Sequence, residues 1–330
     1  SCKTRTLMTG SFEDIKELVR ELHQKYASFT EGTVASYIPE LAKANPNHFG
    51  ISVVDIDGEV FEIGDCSQKF TIQSAINPII HGLALEHVGP DTVEHRIGLE
   101  PSGNPFNSIS LAERTRGPEN PIINAGAICL TDMIRGENPT QRLSEVLSAV
   151  ERYAGEELGV DMLVYSSEKL TGHRNRAIAE FLVNFGLLHN PPEQVLDLYF
   201  QQCSISLNCT QLATVAATLA NRGLNPHTGI LAVAPDYLRH ILSVMFSCGM
   251  YEITGQWAYD VGLPAKSGIG GGLFAVVPGC MGVAVYSPPL GRGGATARGV
   301  KVLRELSDRL NLHLMSARHG DFHRNSDPEP

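Results

Sequence analysis

Hydrophobic and polar positions change period along the chain, and each period predicts an element. Residues 11–26, SFEDIKELVRELHQKY, repeat apolar side chains at helical spacing, with Ile15, Leu18, Val19 and Leu22 on one face and Ser11 with Asp14 as an approximate capping box. A second short helix is expected around YIPELAKAN, ending at Pro46. FGISVVDIDGEVFEIGD then alternates with a period of two about Asp57-Gly58, a pattern that predicts a hairpin with a type I′ turn. FAVVPGCMGVAVYSP repeats strand, turn and strand about Pro278-Gly279. After it, GVKVLRELSDRLNLHLM places Val300, Leu303, Leu306 and Leu310 on a helical stripe. Between the strand regions, in segments such as SEVLSAVERYA, NRAIAEFLVNFGLL, PEQVLDLYFQQC and TQLATVAATLANRG, the apolar period is helical.

Strands near both ends of a helical middle predict an α+β chain: one antiparallel sheet assembled from both chain ends and flanked by helices, an all-helical subdomain, and a cleft between them. A doubly wound parallel sheet would alternate strand and helix throughout, and this chain does not. The expected boundaries are 11–73 with 255–315 for the sheet-containing lobe and 74–254 for the helical lobe. Residues 1–10, SCKTRTLMTG, read as a non-native leader, and 316–330, without apolar periodicity, as a mobile tail. No repeat or Gly/Ser linker separates the lobes, which are expected to form one cooperative unit.

Composition narrows the function. The 330 residues are 42% hydrophobic and 19% charged, as in a soluble globular chain. A net charge of -10 without a Lys/Arg block argues against a nucleic-acid surface and favours small polar substrates. No apolar run approaches the roughly eighteen residues of a membrane span, and no signal peptide is evident, so a cytoplasmic protein with no membrane partner is expected. The seven cysteines are scattered and mostly set in apolar runs, which reads as reduced core thiols. No Cys or His pair has metal-ligand spacing; neither a catalytic metal nor a cofactor is expected.

Two segments could carry chemistry. In KFTIQSAINPIIH, residues 69–81, Ser74 lies at a strand-to-helix junction where it could cap the helix or act as a nucleophile; by local evidence capping is the commoner role. In GLPAKSGIGGG, residues 262–272, Lys266 and Ser267 put a cation and a hydroxyl at one edge of the cleft, followed by glycines at 268, 270, 271 and 272 that would let backbone approach a ligand. A phosphate loop is excluded because its Lys-Ser/Thr follows the glycines and opens a helix, and Leu273 breaks the dinucleotide fingerprint. Singly, Asn124 reads as a turn residue, Glu168 and Asn175 as helix-surface polars, and Tyr199 and Tyr251 as core tyrosines.

A serine opening a helix and a Lys-Ser-Gly strand bordering one cleft resemble the penicillin-binding and serine β-lactamase fold. NPIINAGAI (120–128), YSSEKLTGHRNRAIA (165–179), YFQQCSI (199–205), SCGMYEITGQWA (247–258) and VGLPAKSGIGGG match something narrower: in order, from about residue 30 to 300, they resemble the glutaminases of that fold. The resemblance implies hydrolysis of L-glutamine to L-glutamate and ammonia, with Ser74 as the acylated nucleophile and Tyr251 as its proton relay. It also implies that Asn124, Glu168, Asn175 and Tyr199 hold the amino-acid end, that the Ser74 and Ile269 amides form the oxyanion hole, and that the chain assembles as a homodimer or homotetramer. The residue types suit that chemistry. A zwitterion needs a carboxylate for its ammonium and neutral donors for its carboxylate, and a tetrahedral oxyanion needs two N–H donors.

One position departs from the pattern. The family motif is Ser-x-x-Lys, and here Ser74-Ala75-Ile76 is followed by Asn77. A neutral lysine can accept the serine proton, whereas an amide cannot, and losing a general base typically costs roughly 10² to 10⁴ in rate. The sequence therefore implies a glutaminase impaired at acylation. A glutamine- or glutamate-binding pseudoenzyme is the alternative, and a β-lactam-reactive serine protein a weaker one.

Overall fold

The structure, a computed structural model, describes residues 11–109 and 117–316. The expected leader and all but the first residue of the expected tail lie outside the described residues.

Five strands make the main sheet: β1 (Gly50–Asp55), β2 (Val60–Gly64), β6 (Ala265–Ser267), β7 (Gly272–Val277) and β8 (Met281–Tyr286), in the order β2-β1-β8-β7-β6. Every pairing is antiparallel, and the two chain ends meet where β1 lies against β8, Val53 opposite Val283. The strands β3 (Phe70–Thr71), β4 (Gly159–Val160) and β5 (Ile205–Leu207) form a second, three-stranded sheet in the order β3-β5-β4. No periodic signal marks it, because two or three residues are too few to show alternation.

The helices are α1 (Phe12–Tyr26), α2 (Asn77–Val88), α3 (Pro90–Arg96), α4 (Asn124–Asp132), α5 (Pro139–Ala154), α6 (Met162–Thr171), α7 (His173–Asn184), α8 (Pro192–Cys203), α9 (Cys209–Ala220), α10 (Leu238–Cys248), α11 (Thr254–Asp260) and α12 (Ala297–Arg309). Helix α1 has its capping box: Ser11 Oγ accepts from Asp14 N, while the Asp14 carboxylate accepts from Ser11 N. Ile15, Leu18, Val19 and Leu22 of α1, with Val302, Leu303 and Leu306 of α12, cover one face of the main sheet by packing on Ile51, Val53, Val283 and Val285. The other face, with Val54, Phe274, Val276 and Ala284, packs on the buried helix α9 and joins the core of the helical region. β1, β7 and β8 are therefore buried on both faces, and only the edge strand β2 alternates between exposed and half-buried positions.

Two local expectations are corrected. YIPELAKAN forms no helix beyond the single 3₁₀ turn Leu41–Lys43, since a segment this short, closed off by Pro46, cannot repay helix nucleation. The Asp57-Gly58 hairpin has a three-residue loop closed by Asp55 N donating to Glu59 O at 3.0 Å. Gly58 alone in that loop has a positive φ, +88°, whereas a type I′ turn needs two such residues. Asp55 Oδ1 accepts from Asp57 N and Glu59 N, and the longer loop it braces replaces the tight turn.

Candidate active site

Ser74 sits between the small sheet and the helical core. β3 ends at Thr71, the 3₁₀ turn Gln73–Ile76 follows, and α2 starts at Asn77. The α2 N-cap position is Ile76, without a side-chain capping bond, and Pro78 near the start has no N–H needing one. Ser74 is therefore not the cap; its carbonyl accepts from Asn77 N and its hydroxyl is left for other work. The preceding residue, Gln73, is buried with φ +52°, and Tyr251 shares that φ value. Left-handed backbone at a non-glycine residue is strained, and here it occurs at both residues flanking the serine hydroxyl in space or sequence.

The Lys-Ser-Gly segment closes on this junction. A Cβ on Gly268 would lie 2.6 Å from Ile72 O, and one on Gly270 2.4 Å from Thr71 O. The glycines therefore admit neighbouring backbone of the same chain, not a ligand as the sequence suggests. Ile269, held between them, reaches the same cavity as Ser74. Among the described residues, Ile269 N donates to no backbone carbonyl.

That cavity, of about 610 Å³, brings together Ser74, Asn124, Glu168, Asn175, Tyr199 and Ile269, which come from five elements and a loop. Asn124 opens α4 and donates from Nδ2 to Asn175 Oδ1 in the first turn of α7 at 3.0 Å. Tyr199, from α8, is buried, which pushes its phenol pKa well above the ordinary value. Glu168, from α6, is 6% exposed and accepts from Ser204 Oγ at 2.8 Å. Burial raises its carboxyl to about 8, with the serine bond pulling the other way, so with no cation beside it the group is mostly protonated at neutral pH.

The other two expected residues stand behind the wall of the cavity. Tyr251, in a 3₁₀ turn after α10, packs its ring 5.2 Å from that of Phe106. Its Oη faces Ser74 but is buried without a hydrogen bond of ordinary geometry; burial raises its pKa strongly, against a lowering influence from the serine. Asn77 is 1% exposed, donates from Nδ2 to Ile122 O at 2.9 Å, and leaves Oδ1 without a partner. The sequence reading misses one residue of the cavity and misplaces one side chain near it. Tyr37, in the non-helical YIPEL loop, lines the cavity, with no periodicity to single it out. Lys266 was read as a cation at the cleft edge, but its side chain is fully buried, with Nζ 4.1 Å from the Tyr251 ring centroid. Among the described residues no group of three or more metal-ligating side chains occurs.

A serine at the junction of sheet and helix, facing a Lys-Ser-Gly edge strand across an α+β cleft, defines a protein of the serine β-lactamase-like fold. Narrower comparison agrees: the glutaminase family profile matches residues 32–315. A glutaminase of Trichormus variabilis is 54% identical over 297 residues, 90% of this chain and 89% of that protein, and one of Clostridioides difficile is 43% identical over 303 residues, 91% and 97%. The solved probable glutaminase ybaS superposes with a TM-score of 0.90 at 38% identity, covering 93% of this chain and all of that one. Mglu in its glutamate form superposes at 0.88 with 37% identity, covering 92% and 71%. The chain belongs to the glutaminase family. No helix among the described residues is long and apolar enough to cross a membrane.

Proposed function

We propose that the chain hydrolyses L-glutamine to L-glutamate and ammonia through an acyl-enzyme on Ser74, and that Asn77 makes acylation slow. The observation that carries this reading is the single cavity shared by Ser74, Asn124, Glu168, Asn175, Tyr199 and Ile269. Glu168 receives the substrate ammonium, and Asn124, Asn175 and Tyr199 receive its carboxylate. The Ser74 and Ile269 amides hold the carbonyl oxygen as it becomes an oxyanion. Tyr251, its hydroxyl toward Ser74, passes protons between the serine and the leaving ammonia. The glutamate bound by the related Mglu supports the assignment of the product. Where a lysine would supply a base, Asn77 supplies an amide whose nitrogen is committed to Ile122 O.

Ammonia release from L-glutamine, compared between the parent and Ser74→Ala, tests the proposal. A parent rate abolished by the substitution supports it; equal rates refute the serine acyl-enzyme. The intact amino-acid clamp also favours a second reading, a glutamine-binding pseudoenzyme, which would show calorimetric binding and no ammonia. The family pattern further suggests a homodimer or homotetramer, which light scattering decides.

A further inference from the structure

Packing alone gives no reason for a hydroxyl at position 204. Ser204 follows α8, is fully buried, and its side chain has one hydrogen bond among the described residues, to Glu168. That bond follows from how the backbone is held. Ser204 N donates to Gln201 O at 3.1 Å, and Ser204 O accepts at 2.8 Å from the N–H of Asp161, the residue that caps α6. Asp161 Oδ1 in turn accepts from Leu163 N and Val164 N, so α6 starts at the point Ser204 fixes. Glu168 lies seven residues after Asp161, about two helical turns, and so returns to the same side of α6. The strands β4 and β5 pair Val160 with Ile205 beside this contact, and Ile205 O accepts from Ile72 N, two residues before Ser74. Ser204-Ile205 thus ties the serine junction to the helix that carries Glu168. Glu168 Oε2 accepts from Ser204, while Oε1 has no hydrogen bond among the described residues and the side chain lines the cavity.

We propose that Ser204 is a positioning residue for the substrate: by pinning Glu168 Oε2 it leaves Oε1 set toward the cavity as acceptor for the glutamine ammonium. This deepens the reading of Glu168 as the ammonium site and rests on it. A hydroxyl that donates to a carboxylate also favours the ionised form, against the burial that raises Glu168 to about 8. Below that value, binding the ammonium drives a proton off Glu168, so affinity falls by up to about tenfold per pH unit. Without Ser204 the carboxyl ionises later still, and the loss is greatest near neutral pH. The other titratable groups toward Glu168 are Tyr37, Tyr199 and Cys203, each with its pKa raised by burial, so they stay neutral from pH 7 to about 9. His173 and Arg174 of α7, which also line the cavity, are exposed, and Lys169 beside Glu168 pairs with Asp197 at 2.6 Å.

The test is calorimetric titration with L-glutamate, which carries the same amino-acid end and is not consumed, between about pH 7 and 9, above the ordinary histidine range. The proteins are the parent, Ser204→Ala, Ser204→Cys, Glu168→Gln and the double variant Ser204→Ala/Glu168→Gln, each checked for folding by circular dichroism. The parent near pH 7 should release nearly one proton per glutamate bound, read from the change in heat between buffers of different ionisation enthalpy. Ser204→Ala should raise Kd about 10- to 100-fold there, shrinking toward a few-fold near pH 9. Ser204→Cys, which keeps a weaker donor, should fall between, and the double variant should bind like Glu168→Gln alone. A merely structural serine would weaken binding equally at every pH and in both backgrounds. That flat, additive loss, or a Ser204→Ala protein that binds like the parent, overturns the role of Ser204 alone. Unchanged affinity in Glu168→Gln, or a parent that binds no glutamate, overturns the ammonium-site reading beneath it. If Ser204→Ala does not fold, Ser204→Cys decides by the same pH trend.

Discussion

Replacing Glu168 by glutamine should make the empty protein more stable while spoiling its binding of glutamine. A protonated carboxyl and a carboxamide have nearly the same shape, and each offers a carbonyl oxygen to Ser204 Oγ, which lies 2.8 Å from the carboxyl. The two side chains differ once the carboxyl must ionise. Its ordinary value of 4.5 applies to the unfolded chain and about 8 to the folded one, so between those pH values the folded protein holds the more protons. Folding stability then falls as pH rises through that interval, by up to about 1.4 kcal/mol per pH unit, and levels off above it. The full penalty is of the order of 5 kcal/mol, and Glu168→Gln avoids it. Urea denaturation of both proteins from pH 4 to 9 reads the difference directly. The variant should match the parent near pH 4, exceed it progressively to about pH 8, and run parallel beyond. Saturating glutamine should narrow the gap by stabilising only the parent, whose carboxylate then has an ammonium to face. Denaturation curves that stay parallel across the whole range would refute a buried, proton-holding Glu168.

Three further expectations follow from the structure. Asn77→Lys should raise kcat for ammonia release by at least about 10², and a revertant no faster than the parent removes position 77 from the chemistry. Gly270→Ala must part the Lys-Ser-Gly segment from β3, because its Cβ would stand 2.4 Å from Thr71 O; it should cost about 1–3 kcal/mol in denaturation and slow turnover, and unchanged values would refute the close approach. Asp132→Ala should cost about 3–5 kcal/mol, measured by urea denaturation, since it strands buried Arg96, whose Nη2 lies 2.6 Å from the carboxylate, and unpairs the His189 and Asn190 amides; a loss below about 1 kcal/mol would contradict this account.

Elements whose cause is local were legible in the sequence. The α1 capping box, the stripe of α12 and the strands at both ends each rest on spacings that survive in the fold, and the ordered motifs led to residues that share one cavity. The misses were non-local. Two- and three-residue strands pair only because the core holds them together, and Tyr37 reaches the cavity from a loop whose course no periodicity records. The glycines of 268–272 announced a close approach without saying to what, and their partners, Ile72 O and Thr71 O, lie far away in sequence. Lys266 looked like an edge cation because charge usually seeks solvent; only packing reveals that it is buried on a tyrosine ring.

The pairing of β1 with β8 also bears on how the chain matures during synthesis. Val53 must wait for Val283, and the Ser74 junction for Gly268, so the helical middle emerges from the ribosome before the partners that complete the sheet. Until then β1 and β2 form a hairpin with an open apolar edge, and the Ser74 turn lacks the strand that closes its cavity. Nascent chains stalled ahead of β6 should therefore neither bind glutamine nor resist protease. Both properties should arrive together, once β8 has left the exit tunnel, so the cavity is withheld until the last strand of the main sheet has been made.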